Sequence, residues 1–278
     1  MTPTKYILSI FLTKLSFVRV LLSSKWFVQF PVKKSNLLHI LGNGPSLSSI
    51  DFADLKGDLL AVNNFVLSDS FGEVKPNMYI INAPEYWIQD VDDEYKIMRE
   101  AFIHAIKFKT RWPLHFFLPF GAKNSDFVDQ MSSNKHIQFS FYNTTPVEGS
   151  PWMCHFLYRK YLGMPRPHNI LIPSLMMGIW MEYLTIYLHG ADHSWLKEIV
   201  VSEDNQVFVT QKHFYDYQTA KPDVMKKLGK GHRKLHEVLE KFYLAFKGYH
   251  DIQSFAESRG IVIYNVTQNS FIDAFRRF

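Results

Sequence analysis

Residues 42–46, Gly-Asn-Gly-Pro-Ser, follow an apolar run made of Leu37, Leu38, Ile40 and Leu41. These residue types suit the capture of a phosphate or a nucleotide. Gly42 and Gly44 carry no Cβ, so the chain can turn sharply and come close to a ligand. Pro45 fits the first turn of a helix, and Ser46 offers a hydroxyl where backbone N–H groups still lack partners. Strand, glycine turn and helix start, in that order, build the anion cradle of open α/β sheets. The turn has neither the third glycine of G-x-G-x-x-G nor the Gly-Lys-Ser/Thr of a P-loop, so a plain βα turn is the competing reading. Two further apolar runs end in amides, residues 59–65 with Asn63 and Asn64, and residues 78–83 with Asn82. An amide both donates and accepts, so it can read a sugar hydroxyl or a base edge. Asparagine is also a common turn residue, but three strands ending alike favour a ligand. A fourth run, residues 185–192, ends in Gly190 and Asp192, with His193 next.

The elements that must position these residues alternate regularly. Residues 93–109 have the pattern of a helix, residues 115–119 and 137–142 of strands, and residues 146–167 of a loop rich in Pro and Gly. Residues 172–183 form an almost wholly apolar helix that Ser174 opens. The alternation predicts an α/β fold, a Rossmann-like and mostly parallel sheet with helices on both faces. Residues 193–231 interrupt it with a hairpin turning at residues 203–205 and then Gln211-Lys212-His213-Phe214-Tyr215-Asp216-Tyr217. A polar, aromatic excursion between sheet elements is the pattern of an active-site lid. Helices over 233–246 and on through 258, a last strand over 260–266 and a short terminal helix from 267 complete the chain. The expected organisation is a core over 35–192, a lid over 193–231 and the rest of the core over 232–278.

The chain has 278 residues, 47% of them hydrophobic and 16% aromatic, enough for a large core. Its formal charge of +5 is not gathered into one long basic run, which argues against nucleic acid and suits an anionic substrate or membrane surface. A single cysteine, Cys154, rules out a disulfide framework and points to a reducing, cytoplasmic setting. Residues 6–30 are mostly apolar but are interrupted by Lys14, Arg19 and Lys25, so no uncharged run is long enough to span a bilayer. With Trp26, that pattern fits an amphipathic helix, either lying on the inner face of an anionic membrane or packed on the core. Residues 1–34 are this helix and its linker.

Together these pieces resemble the bacterial sialyltransferases of glycosyltransferase family 42, which use a CMP-activated donor. The residues that carry the resemblance are Gly42-Asn43-Gly44-Pro45-Ser46-Leu47, Asn63-Asn64-Phe65, Asn82, Ser174, and the run from Ile186 through His189 and Gly190 to Asp192, with the closing residues 261–275. The resemblance implies a GT-A-like variant of the Rossmann-like fold, an inverting transfer and no metal cofactor. It implies that Asn43, Asn63 and Asn82 contact the CMP donor and that Ser174 touches the carboxylate of its sugar. Gly42, Gly44, Ser46, Asn64, Gly190 and His193 complete the expected donor site. The acceptor would be a glycan or glycolipid precursor of lipopolysaccharide or capsule.

In that family a lid histidine is the base and lid tyrosines hold the leaving phosphate. His213 is the candidate base here, although a gap-free match sets Tyr217 at that position. An imidazole suits a base near neutral pH. Tyr215 and Tyr217 can donate hydrogen bonds to phosphate oxygens, and Asp192 either orients the histidine or satisfies backbone N–H groups. Asp90-Val91-Asp92 matches a metal-binding D-x-D, but it sits in an acidic run that starts a helix. His189 and His193 are too differently oriented for zinc. Two rivals remain at this level. One is a pterin pyrophosphokinase-like enzyme using ATP and Mg²⁺; the other is a non-catalytic subunit of polysaccharide assembly.

Overall fold

A computed structural model describes residues 3–26, 28–210, 213–214, 222–226 and 231–278. It opens with α1 (Pro3–Ser23) and then alternates β1 (Leu37–Leu41), β2 (Asp58–Val62), α2 (Phe71–Val74), β3 (Met78–Ile80), α3 (Asp93–Lys109) and β4 (Leu114–Pro119). Next come α4 (Asp126–Met131), β5 (Ile137–Tyr142), α5 (Pro151–Arg159), α6 (Leu171–Trp180) and β6 (Thr185–His189). The short strands β7 (Ile199–Val201), β8 (Val207–Val209) and β9 (Asp223–Val224) make a separate antiparallel sheet. The chain then returns through α7 (Leu235–Glu257), β10 (Val262–Asn265) and β11 (Arg276–Arg277).

Eight strands form one sheet in the order β11-β10-β6-β1-β2-β3-β4-β5, and every pairing in it is parallel. The chain steps outward from β1 to β5 and then comes back to lay β6 on the other side of β1. This is a Rossmann-like, doubly wound arrangement, and its order reverses between β1 and β6. Open α/β sheets bind ligands in the crevice outside the carboxyl ends of the strands at such a reversal.

Alternation along each strand sends side chains to two separate cores. Leu38, Ile40, Leu60, Val62, Met78 and Ile80 pack under α5, α6 and α7. Leu41, Ala61, Tyr79, Phe116 and Leu118 pack on the other face with α3 and α4. Both faces are covered, as near-continuous apolar strands require. Polar pairs also lie in this frame, one of them across β1 and β6, where His39 Nδ1 and His189 Nε2 are 2.9 Å apart. The second nitrogen of His39, Nε2, faces the Lys56 carbonyl at 3.2 Å. The carbonyl can only accept, so Nε2 carries the His39 proton and His189 donates to Nδ1.

Several local expectations are corrected. The segment after the glycine turn is a single 3₁₀ turn, Pro45–Ser49, and not an α-helix. The loop over 146–167 contains α5, with Pro151 at its first position, where a missing N–H costs nothing. The two helices foreseen over 233–258 are one continuous helix, α7. No helix follows residue 267. There Asn265 and Ser270 tie the chain into turns, with Asn265 Nδ2 donating to Ser270 Oγ at 2.9 Å, and the chain ends as the edge strand β11.

Candidate functional site

The turns after β1 and β6 meet backbone to backbone. Gly42 N donates to His189 O at 2.9 Å, and Gly44 N donates to Gly190 O at 2.8 Å. A Cβ on Gly42 would stand 2.6 Å from Gly190 O, and one on Gly44 would fall on the Asp192 carboxylate. Gly190 has φ of +59°, and a Cβ there would stand 2.5 Å from Gly42 O. The glycines are needed to bring the two turns together; what they approach closely is each other. Replacing Gly190 by alanine adds a left-handed penalty to a backbone clash, and should cost roughly 2–3 kcal/mol. Thermal melting checks this: an unchanged melting temperature would show that the two turns are free to part.

Asp192 takes the second of its two foreseen roles. Its Oδ2 accepts from Ser46 Oγ at 2.8 Å and its Oδ1 from Ser46 N at 3.3 Å. It therefore caps the start of the 3₁₀ turn and ties the two strand ends together. Ser46 is committed to this clamp and lines neither of the two cavities beside it.

Two adjacent cavities open beside this floor. The smaller, about 160 Å³, is lined by Gly42, Asn43, Gly44, Gly190, Asp192 and His193, among others. The larger, about 980 Å³, extends over Asn82, Glu85, His168 and the first turns of α7. Asn63, Asn169, Ile170, Trp195 and His213 line both, so they form the wall between them. Asn63 has φ of +46°, a left-handed turn that asparagine tolerates better than most residues. Its carbonyl accepts from Tyr79 Oη at 2.5 Å, while its buried Oδ1 has no partner among the described residues. A buried acceptor left unsatisfied on a cavity wall suits a ligand hydroxyl or amine.

The remaining asparagines differ in role. Asn43 lines the smaller cavity and donates from Nδ2 to Val62 O at 3.2 Å. Asn82 lines the larger one, but its Nδ2 donates to Pro167 O at 2.9 Å and its Oδ1 accepts from Tyr142 Oη at 3.2 Å. Asn64 lines neither: its Oδ1 accepts from Tyr86 Oη at 2.6 Å and its Nδ2 faces Met98 Sδ, so it fastens α3. Ser174 is also removed from the site. It lies inside α6, fully buried, and its hydroxyl donates to Ile170 O at 2.8 Å.

The start of α6 is set by Asn169, whose Oδ1 accepts from Leu171 N at 2.8 Å and from Tyr249 Oη at 3.3 Å. Asn169 occupies the place foreseen for Ser174. The signal for it is present, since an asparagine directly before an apolar run is an N-cap pattern. His193 lines the smaller cavity in a left-handed turn, but its Nε2 is 2.5 Å from Tyr249 Oη and its ring lies 4.0 Å from that of Trp195. Burial pushes its imidazole down to about 3, so it stays neutral and structural.

His213 reaches both cavities from the inserted segment. The next residue anchors it: Phe214 N donates to Asn43 O at 3.0 Å, and the Phe214 ring lies 5.3 Å from that of Phe65. Tyr215 and Tyr217 lie outside the described residues. The larger cavity also has cationic groups that no sequence motif marks. Burial, reinforced by the neighbouring Arg233 guanidinium, holds the Lys241 ammonium below its ordinary range, and both residues line the cavity. The Arg233 Nε is buried without a partner among the described residues.

Asp92 lines this cavity at the N-cap of α3 and stands 3.9 Å from Lys226 Nζ. Among the described residues no group of three or more His, Cys, Asp or Glu side chains is placed to hold a metal. The fold and the cavities thus define a doubly wound α/β protein with its candidate site at the strand-order reversal. No family model matches the chain, and no curated protein matches it.

Proposed function

We propose that this chain is a glycosyltransferase that moves sialic acid, or a related eight- or nine-carbon keto-acid sugar, from a CMP donor to a glycan precursor. The observation that carries the proposal is the meeting of His213 and the glycine turn on one cavity, held by the Phe214–Asn43 backbone bond. In this scheme the acceptor hydroxyl attacks the anomeric carbon from one face while the bond to the CMP phosphate breaks on the other. His213 takes the hydroxyl proton and CMP leaves. Asn43 and the Oδ1 of Asn63 offer polar contacts to the donor, and Tyr215 and Tyr217 are assigned to the departing phosphate. Lys241 and Arg233 supply positive charge in the larger cavity, which suits a sugar carboxylate or an anionic acceptor.

A second reading has one observation in its favour: Asp92, with Asp90 two residues before it, stands at the larger cavity. That placement suits an ATP- and Mg²⁺-dependent pyrophosphokinase-like reaction. Thermal melting with CMP, CDP, UDP, GDP and ATP, each with Mg²⁺ or with EDTA, separates the two. CMP at about a hundred times its dissociation constant should stabilise the fold by about 2.7 kcal/mol, a rise of roughly 5–10 °C, and EDTA should not remove it. Stabilisation by ATP that EDTA abolishes would instead support the kinase-like reading.

A further inference from the structure

Helix α1 is turned inside out for a helix in water. The side it buries is a narrow stripe of small hydroxyls. Ser16 Oγ donates to Glu148 O at 2.8 Å and accepts from Glu148 N at 2.9 Å. Thr13 Oγ1 accepts from Ser150 N at 2.9 Å, and Ser24 Oγ pairs with Thr145 Oγ1 at 2.8 Å just past the helix. Val20 is the one buried aliphatic side chain among them. The spacing 13, 16, 20, 24 is that of one helical face. The opposite side is mostly apolar and exposed, with Ile7, Leu8, Phe11, Val18, Leu21 and Leu22, the last two 70% and 81% accessible, and Thr4 and Lys14 exposed among them.

The exposed apolar surface extends onto a second element. Ser150, which holds Thr13, directly precedes α5, where Trp152 is 77% exposed and stacks on the exposed Phe156. Trp26 is 64% exposed at the other end of α1. Monomeric proteins in water do not present such contiguous apolar area without a partner for it.

Charge identifies the partner. Residues 1–34 contain six cations and no carboxylate, while the rest of the chain holds 25 cations against 26 carboxylates. The whole net positive charge of the protein therefore belongs to this helix and its linker. Exposed leucines and phenylalanines, tryptophans at the margin and an all-cationic charge set match the interfacial region of an anionic bilayer. No described helix is long and apolar enough to cross a membrane. We infer that α1 and the Trp152–Phe156 face of α5 form a monotopic surface that lies in the headgroup region of an anionic membrane.

This surface stands on its own observations, independent of the sugar-transfer proposal, but its place in the fold bears on that proposal. Asn143 directly follows β5 and exchanges hydrogen bonds with the Lys25 backbone, so α1 is fastened at the carboxyl edge of the sheet. Both cavities lie at that edge. Glu148 pairs with Arg19 of α1 and with Arg166, which precedes the cavity-lining Pro167 and His168. A membrane-borne acceptor would thus be presented to the edge where the cavities open.

Co-sedimentation of the full chain with vesicles tests the inference. Vesicles of equal parts phosphatidylglycerol and phosphatidylcholine should bind the protein, and pure phosphatidylcholine or raised salt should weaken binding severalfold. The double variant Leu21→Asp, Leu22→Asp should lower the bound fraction's partition constant about tenfold or more. Its circular dichroism and melting temperature should stay unchanged, because the hydroxyl stripe that docks the helix is untouched. Brominated lipid should quench a tryptophan signal that the variant Trp26→Phe, Trp152→Phe loses. Failure to bind anionic vesicles, or binding indifferent to the leucine variant, overturns the inference. So does a concentration-dependent dimer that the same variant dissolves, since it would assign the surface to a second copy of the chain.

Discussion

Alanine in place of His213 should lower turnover by about a hundred- to ten-thousand-fold while leaving CMP affinity within a few-fold. The split follows from geometry. His213 stands on the wall shared by the two cavities, where the proposed scheme brings the acceptor to the anomeric carbon. The nucleotide is expected to rest on the glycine turn and the Asn63 side, which the substitution leaves in place. Anchoring of the segment is retained as well, since the bond from Phe214 to Asn43 joins two backbone groups. Steady-state kinetics with CMP-sialic acid and a calorimetric CMP titration check both halves. Tyr217→Phe is the companion experiment: a larger loss there than at His213, with CMP affinity retained, would transfer the base assignment to Tyr217. Turnover within threefold of the parent protein in both variants would remove a general base from the scheme.

A second large effect is expected from acid, and it does not depend on what the protein catalyses. Burial pushes His189 and His193 down to about 3 and His115 down to about 4, with His39 adding to the shift at His189. All three are neutral in the fold at neutral pH. Above pH 6.5 the unfolded chain holds them neutral as well, so they leave stability unchanged. As pH falls below 6.5, the unfolded state binds protons that the folded state refuses, and stability drops. The loss continues to about pH 4 for His115 and to about pH 3 for the other two. At pH 5 it amounts to the order of 1–2 kcal/mol for each histidine. Chemical denaturation at pH 7.5 and pH 5 measures it, and equal midpoints at the two pH values would contradict it. His189→Asn should flatten part of the dependence.

The sheet was legible in the sequence because its signals are local. Short apolar runs ending in Gly-Asn-Gly, Asn-Asn, Asn and Gly-Ala-Asp mark strand ends, and β1, β2, β3 and β6 bring those ends to one edge. What each polar group does there was less legible, because that depends on neighbours far away in the chain. Asn64 and Asn82 look equivalent in sequence, yet Asn64 is taken by Tyr86 and Asn82 by Pro167 and Tyr142. Pro173 is the marker that separates Ser174 from the helix start. Proline favours the first helical turn, which places the helix start before the serine and makes Asn169 the residue at the site. The orientation of α1 could not be read either. Its periodicity shows two stripes, and only Thr145, Glu148 and Ser150, more than a hundred residues away, decide that the hydroxyl stripe turns inward.

The contact between the turns at Gly42 and Gly190 has a consequence for redesign. The floor of the site is made from main chain, and its shape is set by backbone hydrogen bonds and the absence of Cβ atoms. Side chains around it can be exchanged without moving it. Libraries aimed at a new ligand can therefore vary Glu85, His168 and Lys241 of the larger cavity together, while the three glycines, Ser46, Asp192 and the structural Asn63, Asn169 and Trp195 are kept fixed. The floor is thus held by main chain and a few fixed side chains, and the outer wall of the larger cavity can be searched without searching for the fold again.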